Sequence, residues 1–235
     1  MARIVKEYTV RRDEILDVAQ RLVFSKGYER MTIQDILDDL QIAKGTFYYY
    51  FDSKQSLLEA FIERLWNAAE QQLKPIVDDP QLPALEKLQR LYFTVNSWKN
   101  QQRAYLLALF RGWYSDENAL VREKMRVMGA RWVAPLLSKI IQQGIQEGVM
   151  RTAYPELVGA LVLSLGQELG DALGRLLLTS EVEHYEVRQV ENTVAVYTDA
   201  VERVLGIPGG SLTLVEDETI KEWFSPVSSM SKGLS

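Results

Sequence analysis

Apolar residues recur along this chain at helical spacing almost throughout, and no stretch shows the period of two that a half-buried strand needs. That pattern limits the fold to the all-α class. The first helix is predicted over about residues 11–25, with Ile15, Ala19, Leu22 and Val23 on one face. Gly27 is its natural C-terminal cap. Thr32 then caps a short second helix, with Asp35 three residues on as a shortened capping box. Ile33, Ile36, Leu37 and Leu40 form its buried face. A tight turn at Gln41-Ile42 leads to a third helix from about Lys44 to Tyr50. Asp52 or Ser53 caps a fourth, carrying Leu57, Leu58, Phe61, Ile62 and Leu65, that runs to about Pro75.

Residues 78–83 (Asp-Asp-Pro-Gln-Leu-Pro) are the clearest linker. Further helices are predicted over 83–99, 101–113, 117–147, 155–178 and 183–205, with Pro135 kinking or dividing the third of these. Gly206 and Pro208 stop the last. The organisation expected is an N-terminal unit over 1–54, a larger helical unit over 55–207, and a tail over 208–235 that is partly disordered.

Composition narrows the chemistry. The absence of cysteine removes disulfides, thiolate metal sites and cysteine nucleophiles. Residues 1–6 lead into no apolar run of the secretory kind. The apolar stretch 157–178 is interrupted by Gly166, Gln167, Glu168, Gly170, Asp171, Gly174 and Arg175, so it reads as a buried helix and not a membrane span. A soluble, cytoplasmic protein is expected. The net charge of -5 argues against a non-specific coat on nucleic acid. Charge is uneven, however: residues 1–12 hold Arg3, Lys6, Arg11 and Arg12 against one acid, Glu7.

Two short helices joined by a tight turn make a helix-turn-helix. The second, at 44–50, is too short to stand alone and must lean on its neighbours. Ile42, Phe47 and Phe51 can face that support, which leaves Lys44, Gly45, Thr46, Tyr48, Tyr49 and Tyr50 for another surface. Lysine pairs with phosphate, glycine lets backbone approach, threonine bonds phosphate or touches a thymine methyl, and tyrosine hydroxyls donate to phosphate oxygens. A single tyrosine would be an ordinary core residue. Three in succession point about 100° apart, so at least one must be exposed.

The stretch from Ala43 through Lys44, Gly45, Thr46, Phe47, Tyr48, Tyr49, Tyr50, Phe51, Asp52, Ser53, Lys54, Gln55 and Ser56 to Leu57-Leu58 resembles the signature of TetR/AcrR-family regulators. Gly27-Tyr28, Thr32-Ile33 and Asp35-Ile36 agree in register, and the resemblance covers about residues 11–65. It implies a ligand-responsive regulator, mostly a repressor, that binds a palindromic operator as a homodimer. By position, Thr32 and Gln34 would touch backbone or bases. Lys44, Gly45 and Thr46 would open the recognition helix. Tyr48 and Tyr49 would grip phosphate with Tyr50 near the groove, and Lys54 would pair with phosphate. Two positions depart from the pattern. Gln41 stands where the family often has glycine, and Ala43 where it often has a serine or threonine cap.

The resemblance also implies an effector pocket in the larger unit. The aromatic residues Trp98, Tyr105, Phe110, Trp113, Tyr114 and Trp132 are the candidates, and such a lining suits a lipophilic or aromatic small molecule. For each one taken singly, core packing is the better reading. Helices 155–178 and 183–205 carry small residues and leucine or valine stripes suited to dimerisation. The rival readings are a regulator answering to a protein partner or to no ligand, and a helical enzyme. His184, the one histidine, sits in a polar stretch and reads as surface. Glu168 and Asp171 share a helix face but lack further ligands for a metal. No glycine-rich phosphate loop or serine elbow is present, so no catalytic residue, metal or cofactor is expected.

Overall fold

The computed structural model describes residues 2–180 and 187–224. Its elements are α1 (Ala2–Lys26), α2 (Ile33–Leu40), α3 (Lys44–Tyr50), α4 (Lys54–Asp78), α5 (Ala84–Gln101), α6 (Arg103–Trp113), α7 (Ala119–Gln146), α8 (Pro155–Ser180), α9 (Val187–Leu205) and α10 (Asp217–Phe224), with a 3-10 turn at Asp116–Asn118. No strand occurs among the described residues. The chain is all-α, as the periodicity requires.

Two compact units form: residues 1–70 with 107–129, and residues 71–106 with 130–235. The helices α4, α6 and α7 each pass from one unit into the other. The division in α4 therefore falls at Glu70, beyond the expected position at 54, and a later segment joins the N-terminal unit.

In the first unit, α1 is longer than its apolar stripe suggested, beginning at Ala2 and not near Arg11. Ile15, Leu16, Ala19 and Val23 of α1 are buried with Ile36 of α2, Phe47 of α3, and Leu57, Leu58, Phe61 and Ile62 of α4. Burying such side chains contributes roughly 1.5–3 kcal/mol each, enough to hold helices too short to persist alone. Gly27 adopts φ 85 and ends α1 as expected. From the later segment, Val121 is buried in the same core. A Cβ added to Gly112 would lie 2.3 Å from the Phe24 carbonyl oxygen, so only glycine fits there.

In the second unit, α8 packs along α9. Val190, Val194, Val201 and Leu205 of α9 are buried together with Val158, Val162 and Leu169 of α8, within a single chain. Leu157, Leu161 and Val196 are exposed. Among the described residues α8 is the one helix long and apolar enough to cross a membrane, by length and composition alone. Pro135 lies within α7 without dividing it. α9 stops at Gly206, with φ 64, and the N–H of Ile207 donates back to the Glu202 carbonyl at 3.0 Å.

The segment 208–224, placed in the tail on sequence grounds, is structured. Glu202 is buried, and its carboxylate accepts the N–H of Gly210 at 3.0 Å and of Leu212 at 2.9 Å. Asn96 donates to the Leu214 carbonyl at 2.7 Å, and Asn100 donates to the Thr219 hydroxyl at 3.0 Å. These bonds pin α10 to α5. Residues 225–235, where disorder was expected, and His184 lie outside the described residues.

Candidate nucleic-acid interface

Local chemistry fixes the start of α2. Thr32 is extended, its hydroxyl oxygen accepts the Asp35 N–H at 3.1 Å, and the Asp35 carboxylate accepts the Thr32 N–H at 2.7 Å. That reciprocal pair is the predicted capping box. Asp35 is also ion-paired with Lys26. The Lys26 bond, then those of Thr32, hold its carboxyl down at about 2. The acidic α2 is further neutralised where Arg21 pairs with Asp39.

The turn uses the two departures noted in the sequence. Gln41 adopts φ 52, the only non-glycine residue at positive φ in the described chain. Its side-chain amide donates to the Asp38 carbonyl at 2.5 Å. Ala43 is the N-terminal cap residue of α3 and supplies no side-chain bond.

α3 then sorts its residues as the 100° step demands. Phe47 is buried, and so is Phe51 just beyond the helix. Lys44 and Gly45 are exposed, Thr46 and Tyr50 half-buried, Tyr48 43% exposed and Tyr49 68% exposed. A Cβ on Gly45 would meet nothing of the chain within 4 Å, so the chain's own packing does not require glycine there. The Lys44 ammonium lies 5.9 Å from the Tyr48 ring centre. Six of the predicted contact residues, Lys44, Gly45, Thr46, Tyr48, Tyr49 and Tyr50, thus share one short helix with at least part of their surface open to solvent.

Other candidates are partly engaged. The Gln34 amide donates to Asp38 at 2.7 Å, and the Thr32 hydroxyl donates to Asp35 at 2.6 Å. The Lys54 ammonium donates to the Glu29 carbonyl at 3.2 Å and lies 4.2 Å from the Tyr28 ring centre. Burial lowers the Lys54 pKa, and burial raises that of the Tyr28 hydroxyl. One residue near α3 was missed: Tyr8 of α1. Its ring centre lies 4.8 Å from that of Tyr50 and 5.7 Å from that of Tyr49. The signal was present, since Tyr8 precedes Ile15 by two helical turns on one face, but the helix was read as starting after it.

The six aromatic effector candidates divide between the units. Trp98, Tyr105 and Trp132 belong to the second, and Phe110, Trp113 and Tyr114 to the first. Phe110 stacks on Tyr114 at 5.9 Å, and Trp113 lies 6.1 Å from Phe24 beside the N-terminal core. Trp98 is 45% exposed. The Trp132 indole N–H is buried without a hydrogen-bond partner. The side chain of Tyr105 lies outside the described residues. A shallow surface groove on α9, between Arg188 and Tyr197, uses none of the six. Glu168 pairs with Arg175 at 2.6 Å, and Asp171 is half-buried. Among the described residues no three His, Cys, Asp or Glu are placed to hold a metal ion.

Residues 15–61 match the sequence profile described as bacterial regulatory proteins, tetR family. The chain is 26% identical over 192 residues to the transcriptional repressor NemR of Escherichia coli K12, spanning 79% of this chain and 96% of NemR. Residues 15–61 therefore form a DNA-binding domain of the TetR family of bacterial regulators. The chain is also 24% identical over 160 residues to the repressor KstR2 of Mycobacterium tuberculosis H37Rv, spanning 64% of this chain and 74% of KstR2. Its fold is similar to that of the Stenotrophomonas maltophilia repressor SmeT in a triclosan complex, with a TM-score of 0.59 and 18% identity over 87% of this chain and 97% of SmeT. The matched profile begins at Ile15 and ends at Phe61, so it contains the helix-turn-helix and stops before the second unit.

Proposed function

We propose that the chain is a TetR-family regulator, a cytoplasmic repressor that binds a near-palindromic operator as a homodimer and is released by a small molecule. The observation that carries the reading is the division of α3. Phe47 is buried in the N-terminal core, while Lys44, Gly45, Tyr48 and Tyr49 are exposed beside one another. A lysine, a glycine and two tyrosines with no task in the core suit a duplex, in which phosphate bonds position the helix and base edges specify the site. Lys44, Gly45 and Thr46 open the recognition helix, Tyr48 and Tyr49 hold phosphates, and Tyr50 lies near the groove. Thr32 and Gln34 approach the backbone or bases after exchanging their bonds to Asp35 and Asp38. Lys54 reaches phosphate from α4.

The exposed Leu157, Leu161 and Val196 on α8 and α9 suit a second copy of the chain. The effector is lipophilic or aromatic and is held by residues among Trp98, Tyr105, Phe110, Trp113, Tyr114 and Trp132. SmeT, similar in fold, has a triclosan complex. A ligand that favours one conformation of the second unit shifts the population of the DNA-binding state by its differential affinity. The helix α4, which passes through both units, is the lever.

The test is binding to the DNA upstream of the chain's own reading frame, titrated across salt, beside Tyr48→Ala and Lys44→Ala variants. Sequence-selective binding that weakens steeply with salt and is lost in both variants is the expected result. Weak binding, equal for any duplex and unchanged in the variants, would refute it.

A further inference from the structure

The recognition helix is poorly supplied with cations for a surface that must meet a polyanion. Elsewhere in the unit, Arg21, Lys26 and Arg30 are ion-paired with Asp39, Asp35 and Glu117. The Lys54 ammonium reaches phosphate only by giving up its bond to the Glu29 carbonyl. On α3 itself Lys44 is the one cation. Duplex binding depends on neutralising phosphates, and each neutralised phosphate releases bound counterions. Positive charge from elsewhere in the unit is therefore required.

The N-terminal part of α1 is placed to supply it. The Tyr8 ring packs edge-on against Tyr49 at 5.7 Å and tilted against Tyr50 at 4.8 Å, so this part of α1 lies directly beside the recognition helix. Tyr8 is 37% exposed. One turn on, the Arg12 guanidinium sits 5.3 Å from the ring centre of Phe51, the residue that closes α3. Arg12 is half-buried, so part of it still meets solvent. Residues 1–12 also carry Arg3, Lys6 and Arg11, the last paired with Glu14 at 2.7 Å, with Glu7 as the only acid before Asp13. This basic end contrasts with a chain whose net charge is -5. Both Tyr8 and Arg12 lie outside the matched family profile, which starts at Ile15.

We propose that the N-terminal part of α1 forms a second nucleic-acid contact, in which Tyr8 and Arg12 hold the phosphate backbone beside the groove that α3 enters. The inference rests on the DNA-binding reading above and extends it to a part of the chain outside the helix-turn-helix. The Tyr8 hydroxyl donates to a phosphate oxygen, and its ring stays on Tyr49 and Tyr50. The Arg12 guanidinium pairs with a phosphate from its place over Phe51. The contact reads no base, so it adds affinity equally to any sequence.

The test uses the full-length protein and two duplexes: one enriched by the wild type from a randomised library, and one of random sequence. Tyr8→Phe keeps the ring and removes the hydroxyl. Arg12→Gln removes the charge, and Arg12→Lys keeps it. Expected is a loss of about five-fold on both duplexes for Tyr8→Phe. For Arg12→Gln the salt dependence should become shallower by about 0.9, the slope of one phosphate no longer neutralised, and Arg12→Lys should restore it. Circular dichroism and thermal melting of Tyr8→Phe and Arg12→Lys should match the wild type. Unchanged affinity in Tyr8→Phe and unchanged slope in Arg12→Gln, with binding still lost in Tyr48→Ala, would overturn this inference and leave the regulator reading intact. A loss on the enriched duplex alone, with the slope unchanged, would also overturn it, because Tyr8 would then act by placing Tyr50 at the groove. No selective binding by the wild type would end both readings.

Discussion

The side-chain oxygen of Asn118 accepts the backbone N–H of Tyr28 at 2.8 Å, a bond between residues 90 positions apart. The same side chain donates to the Val23 carbonyl at 3.1 Å and to the Gly112 carbonyl at 2.7 Å. Asn118 is wholly buried. One amide thus ties the end of α1, the residue after Gly27 and the turn between α6 and α7 into the N-terminal unit. Asn118→Ala leaves the buried Tyr28 N–H without a partner, while the Val23 carbonyl keeps the Gly27 N–H and the Gly112 carbonyl keeps the Ser115 hydroxyl, and should cost about 2 kcal/mol. Urea unfolding measures it; a loss near zero would show that water replaces the amide.

At Gln41 the backbone is left-handed, with φ 52, which costs a residue bearing a Cβ about 1 kcal/mol. Gln41→Gly should raise stability by about 0.5 kcal/mol after its exposed bond to Asp38 is lost. Gln41→Val should lower it, since a β-branched side chain tolerates this region least. Thermal melting of the two variants should move in opposite directions.

Ala43 offers α3 no cap, and the Thr46 N–H bonds instead to the Ala43 carbonyl at 2.9 Å. Ala43→Ser places a hydroxyl at the cap and should add about 1 kcal/mol. The gain should appear as slower amide exchange within 44–50, and equal exchange in both proteins would count against a capping deficit.

Asp35 carries a pH signature. Its folded pKa is depressed to about 2 by the bond from Lys26 and by those from Thr32, against about 3.9 in an unfolded chain. A depressed carboxyl contributes stability that is complete above its unfolded value and is lost as pH falls through the folded one. The stability difference between wild type and Asp35→Asn should therefore be constant above about pH 5 and shrink towards about pH 2. Denaturant midpoints of both proteins across that range measure it, and a constant difference throughout would contradict the pairing.

Glu202 holds the start of the C-terminal segment through its bonds to Gly210 and Leu212. Glu202→Ala strands two N–H groups and should cost about 2–3 kcal/mol. Limited proteolysis should then cut within 208–216 well before the rest of the chain. Equal resistance in the variant would mean that the bonds from Asn96 and Asn100 suffice.

The helix-turn-helix was legible because its determinants are local. Thr32 and Asp35 are three residues apart, so their capping box can be read directly. The angular step along α3 sends Phe47 inward and leaves Tyr48 and Tyr49 outside whatever the neighbours are. The α1 extension was legible only through Tyr8, which continues the face of Ile15, because residues 2–10 carry no long apolar stripe and the partners of Tyr8 are the distant Tyr49 and Tyr50. Neither was α10, whose eight residues are too few to be stable alone and depend on Asn100 and Asn96 of α5. The aromatic residues 98–132 are close in sequence but divide three and three between the two units, a division that sequence spacing does not show.

By itself the sequence determined the all-helical class, the caps and turn of the helix-turn-helix and the outward face of α3, since each follows from contacts within about one helical turn. Tertiary structure alone decided that Asn118 closes the N-terminal unit, that the Lys54 ammonium bonds to the Glu29 carbonyl, and that Tyr8 stands beside the recognition helix. Those contacts join residues tens of positions apart, and which distant groups meet depends on how the helices pack, a choice that no local spacing encodes.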